Sequence, residues 1–188
     1  MSSFDGKFRS RRQFVGVTLA ITLVAAGLGG CQVRPLYGSL DTTSGGSTVP
    51  DELAAIEIDT ISKRHANANA IRTLYNELTF RFERGAERPP KRFRLKVLAD
   101  LNEAEVGVEQ LADVPAAYNM TINSTFVLSD IATDTTMMTG KSFATASYDF
   151  SDQRFANLRA KRDAEERAAK AIAQDIQARI AGYFASQS

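Results

Sequence analysis

The sequence predicts an α+β fold: two helices on one face of a four-stranded, mostly antiparallel sheet, in the order strand, helix, three strands, helix. Three observations carry this two-layer sandwich. Apolar residues alternate over 92–101 and again over 118–128, the period of half-buried strands. Apolar residues recur at helical spacing over 71–82 and 172–183, so each helix has one face to bury. The chain has 188 residues, 44% of them hydrophobic and 24% charged, which suits a single core.

In the first strand, predicted over Leu53 to Ile61, Ile56 and Ile58 alternate with Glu57 and Asp59. Asn67 or Asn69 caps the first helix, whose stripe is Ile71, Leu74, Tyr75, Leu78 and Phe82, and Gly85 ends it. The second strand, Arg92 to Leu101, sets Phe93, Leu95, Val97, Ala99 and Leu101 against Arg92, Arg94, Lys96 and Asp100. Tyr118 to Leu128 is the third strand, Asp130 to Gly140 a polar connection, and Lys141 to Phe150 the fourth. Ser151 or Asp152 caps a last helix reaching Tyr183. Its apolar face is Ile172, Ile176, Ile180 and Tyr183, continued upstream by Leu158 and Ala169, with Glu165, Glu166 and Arg167 on the solvated side. Both helices cover the same face of the sheet.

Ahead of this domain, basic residues from Lys7 to Arg12 precede an apolar run from Phe14 to Leu28, then Gly29, Gly30 and Cys31. That is the layout of an export signal, and the apolar run is shorter than the ~20 residues of a membrane-spanning helix. Leu28-Gly29-Gly30-Cys31 resembles a lipobox, in which the cysteine thiol accepts a diacylglycerol and the new amino terminus an N-acyl chain. Residues 1–30 are therefore read as a signal peptide, 31–52 as the lipidated N-terminus and a flexible tether, and 53–188 as one domain. Gln32 stands where Asp would favour inner-membrane retention, so the expected location is the outer membrane. Ser10-Arg11-Arg12-Gln13-Phe14 also resembles a twin-arginine motif, which leaves the export route open.

Residues 1–30 hold four cations and one acid, so removing them takes the formal net charge from +1 to −2. Such a domain lacks the basic excess of a nucleic-acid binder. One cysteine and one histidine, His65, leave little material for a metal site or nucleophilic catalysis; no enzyme activity, metal or cofactor is expected beyond the covalent lipid on Cys31. One local concentration stands out. Between Arg81 and Lys96 lie seven cations and two acids. Guanidinium and ammonium groups clustered beside apolar strand residues suit a multivalent anion, although a solvated face neutralised by acids elsewhere would leave the same pattern.

Cys31-Gln32-Val33-Arg34-Pro35-Leu36-Tyr37-Gly38 opens the mature chain, and Tyr148-Asp149-Phe150, Arg154-Phe155-Ala156 and Asp163-Ala164-Glu165-Glu166-Arg167 follow near its end. With the order of elements between them, these segments resemble the lipopolysaccharide-assembly lipoprotein family LptE in its alphaproteobacterial form. Gln32-Val33 departs from the family's Gly-aromatic pair. The resemblance implies a lipoprotein that partners the outer-membrane barrel LptD, plugs its lumen and helps deliver lipopolysaccharide to the outer leaflet. Lipid A carries phosphates and acyl chains, so the expected contacts are Arg88, Lys91, Arg92, Arg94 and Lys141. An auxiliary lipoprotein of another envelope transport system, for phospholipid, would share the anchor and the architecture.

Overall fold

The computed structural model describes residues 48–63, 68–84, 89–109 and 114–187. Contacts divide the chain into Met1–Gly38 and Ser39–Ser188, and every described residue belongs to the second unit. Cys31, His65 and the whole expected export signal lie outside the described residues.

The chain enters through a short helix, α1 (Val49–Ala54), where the tether and the start of a strand were expected. Thr48 and Asp51 close its first turn: the Asp51 carboxylate accepts the Thr48 backbone N–H at 3.1 Å and its hydroxyl at 2.6 Å. These bonds hold the Asp51 carboxyl below its ordinary value. Two short strands follow, β1 (Ile56–Ile58) and β2 (Ser62–Lys63), and then α2 (Ala68–Glu83). A long hairpin is formed by β3 (Phe93–Glu109) and β4 (Val114–Asp130), and β5 (Thr136–Asp149) and α3 (Arg154–Gln187) complete the fold.

The sheet order is β1-β3-β4-β5, with β2 beside β3 on the same edge as β1. Both short strands run parallel to β3, and β3-β4-β5 are antiparallel. A parallel neighbour requires a crossover, and α2 supplies it. The β4–β5 turn is built by Asp130, whose Oδ1 accepts the backbone N–H groups of Ala132 and Thr133, each at 2.9 Å. It spans five residues, so Thr136 to Gly140, expected in a connection, belong to the strand.

Even-numbered residues of β4 from Met120 to Leu128 and odd-numbered residues of β3 from Phe93 to Ala99 are buried under the helices. Gly140 lies among them because Phe126 needs its space: a Cβ there would sit 2.3 Å from Phe126 Cζ. On α2 the buried row is Ala70, Leu74, Leu78 and Phe82. Ile71 and Tyr75, expected in that stripe, lie on its flank, with Tyr75 43% exposed.

On α3 the buried row runs Ala164, Glu165, Ala168, Ala169, Ile172, Ala173, Ile176, Gln177, Ile180, Ala181 and Phe184. Three expectations are corrected here. Leu158 is exposed, Phe184 takes the buried place expected of Tyr183, and Glu165 is buried rather than solvated. Glu165 shares the helical phase of Ala169, Ile172 and Ile176, and Asn69 Nδ2 donates to its carboxylate at 3.4 Å. Helical phase decided its position over charge.

Both hairpin strands outrun the expected boundaries because a polar cluster replaces apolar alternation at their far end. Glu103 faces the helices and accepts hydrogen bonds from Tyr148 and Lys161, while Tyr148 stacks on Tyr118 at 5.2 Å. Burial pushes the Glu103 carboxyl up, but the bonds from Lys161 and Tyr148 prevail and hold it below its ordinary value. Burial and the same carboxylate push the Tyr148 hydroxyl up.

Candidate functional site

The two faces of the sheet divide the chemistry. One is sealed by α2 and α3, and strand alternation turns Arg94, Lys96 and Leu98 of β3, Asn123, Thr125 and Val127 of β4, and Thr139, Lys141 and Phe143 of β5 to the other. Register sets them in rows: Lys96 beside Val127 beside Thr139, Leu98 beside Thr125 beside Lys141. Two strand spacings and a two-residue offset put the Lys96 and Lys141 Cα atoms about 12 Å apart. Both lysines are exposed, and side chains of that length can converge on one anion or hold two. Leu98 is 42% and Phe143 76% exposed among them. Cations interleaved with uncovered apolar groups suit an anionic amphiphile.

The predicted contact residues separate on this frame. Lys91 is a structural tie: its ammonium donates to the carbonyls of Ala54 and Ile56, each at 3.0 Å, and to Glu83 at 3.2 Å. These three bonds use its three donors and fasten α1 and β1 to the end of α2. Arg92 pairs with Glu52 and lies 5.1 Å from the centroid of the Phe93 ring, which binds the start of β3 to α1. Arg94 lies on the open face, 3.6 Å from Glu57 of β1. Lys141 is exposed on the same face, and Arg88 lies outside the described residues. The predicted contact set omits Lys96, which strand alternation and sheet register bring into one patch with Lys141, 45 residues later in the sequence.

No family model matches the chain, and no curated protein does. Solved structures do. A lipoprotein candidate from Caulobacter crescentus CB15 is similar over 74% of this chain and 97% of its own, at 21% identity and a TM-score of 0.57. What the two share is the fold. A minor lipoprotein of Acinetobacter baumannii matches at 13% identity over 68% of this chain and 90% of its own, with a TM-score of 0.47. Rare lipoprotein B of Shewanella oneidensis matches at 12% identity over 65% and 93%, with a TM-score of 0.44. Among the described residues no helix is long and apolar enough to cross a membrane, and no group of three or more His, Cys, Asp or Glu could hold a metal ion.

Proposed function

We propose that this chain is an outer-membrane lipoprotein of the lipopolysaccharide-assembly machinery, anchored through lipid on Cys31 and seated in the lumen of the LptD barrel. The observation that carries this reading is the open sheet face, where Arg94, Lys96 and Lys141 stand beside the uncovered side chains of Leu98 and Phe143. A glycolipid with phosphates beside its acyl chains meets both kinds of group there. Support also comes from the lipobox-like Leu28-Gly29-Gly30-Cys31 and the Arg34-Pro35-Leu36-Tyr37-Gly38 run after it. A barrel wide enough to pass a glycolipid has an aqueous lumen, which a compact domain of mixed surface polarity can occupy. Arg92 and Lys91 act in this reading by holding β1, β3 and α1 in register behind the face, and Arg88 adds a cation before β3.

Crosslinking in intact envelopes tests the partnership. The expected capture is a large outer-membrane barrel, and recovery of an inner-membrane transporter in its place would support the phospholipid-transport alternative. Intact-mass analysis of the mature protein tests the anchor: the expected product begins at Cys31 and carries diacylglycerol and an N-acyl chain. The face is tested by the triple variant Arg94→Ala, Lys96→Ala, Lys141→Ala, which should bind lipopolysaccharide at least ten-fold more weakly at unchanged melting temperature.

A further inference from the structure

At the β1–β2 edge of the sheet, beside Lys96 but toward α2 rather than on the open face, the chain makes an excursion. Ile58 pairs with Leu95 and Ser62 with Leu98, so four residue steps on the edge chain face three on β3. The extra residue is a bulge, a device frequent at sheet edges and beside functional sites. It carries Thr60 and Ile61 off the line of β3 and opens a groove of about 480 Å³ against α2. That volume falls within the range of small-molecule pockets, ~300–1,000 Å³.

The groove floor and walls are Ile58, Ile61, Ile71 and Tyr75. Ile71 and Tyr75 are the two α2 residues displaced from the buried row, one helical turn apart on the flank that overhangs the edge. They leave apolar surface uncovered because the bulged edge gives them no strand to pack on. At the rim stand Lys63 and Arg72, both exposed, and among the described residues no carboxylate lines the groove. The nearest acid in sequence, Asp59, accepts the Thr60 backbone N–H at 2.7 Å, and Arg72 donates to Asn69 at 3.3 Å. An apolar slot with two cations at its mouth is complementary to an amphiphile with one chain and a negative head.

We propose that this groove binds a single acyl chain whose anionic head, a carboxylate or a phosphate monoester or diester, is held by Lys63 and Arg72. The site is distinct from the open sheet face and stands without the lipopolysaccharide reading. The test uses the intact chain in phosphatidylcholine nanodiscs and three probes bearing a photoreactive diazirine in the acyl tail: palmitic acid, lysophosphatidylglycerol and neutral monopalmitoylglycerol. Peptide mass spectrometry then maps the adducts. Both anionic probes are expected to label the segments holding Ile58–Lys63 and Ile71–Tyr75 at least ten-fold more than the neutral one, and the stronger of the two identifies the head group. The double variant Lys63→Glu, Arg72→Glu should bring anionic labelling down to the neutral level. Ile71→Trp, which narrows the slot, should reduce labelling by every probe. Labelling that ignores the head group, survives the charge reversal, or gathers outside these two segments would overturn the proposal. The charge-reversed residues are exposed, so that variant reports on binding whether or not Ile71→Trp folds.

Discussion

The two faces of one sheet are made by alternate residues of the same three strands, yet they follow opposite rules. Leu95, Phe126 and Leu128 are fully buried beneath the helices, whereas their neighbours Lys96, Thr125 and Val127 lie on the side the helices leave open. The covered face is constrained by volume and by the cost of burying polar groups. The open face is free to carry charge and uncovered apolar side chains, because packing does not decide the residues there. A second contrast runs within the basic cluster. Lys91 and Lys96 are five positions apart; one ammonium is tied to two backbone carbonyls and a carboxylate, and the other is exposed.

The largest effect that sharpens the contrast is expected from Phe126→Ala. Deleting a fully buried aromatic ring should cost about 3–5 kcal/mol, read from the shift in the urea unfolding midpoint, and a loss below 1 kcal/mol would mean that the covered face is not the core. Next is Gly140→Ala. Its methyl group would displace the Phe126 ring, and overpacking of this kind costs about 1–3 kcal/mol, so the same titration should show destabilisation from one added carbon.

Lys91→Met should cost about 1–3 kcal/mol, because it leaves the carbonyls of Ala54 and Ile56 without their donor. The matched change Lys96→Met should stay within about 0.5 kcal/mol. Equal effects at the two lysines would erase the distinction between tie and contact.

Smaller still is the Glu103 contribution at the far end of the hairpin. Its carboxyl lies below its ordinary value of 4.5 in the folded chain, so its stabilisation is present above that pH and is lost as pH falls through the lower folded value. With a partly exposed pair the effect should stay under about 1 kcal/mol. The stability gap between the wild type and Glu103→Gln, measured by thermal melts from pH 7 downward, should close on the acid side. A gap independent of pH would remove Glu103–Lys161 as the cause.

Much of the architecture is legible in local pattern. Alternation identifies the central parts of β3 and β4, and the 3.6-residue period identifies α2 and α3, since both patterns report burial of one side of an element. Pattern fails wherever a polar side chain faces the core with a partner distant in sequence. Glu103 meets Lys161 58 residues later, and Glu165 meets Asn69 96 residues earlier. The first shortens the predicted strands and the second reverses a predicted helix face. The helix α1 is not legible in periodicity, because six residues are too few positions to establish a period.

The candidate sites divide the same way. The excess of cations between Arg81 and Lys96 is a property of the chain itself, as is the lipobox-like run ending at Cys31, because composition and contiguous order need no fold to be read. Folding alone decided which cations became ties and which stayed on a surface, and it placed Lys96 and Lys141 on one face. The bulge that opens a groove beneath Ile71 and Tyr75 was settled by tertiary structure too. The physical reason is common to all three: a side chain's partners are set by the register of strands and the seating of helices, and those depend on residues tens of positions away.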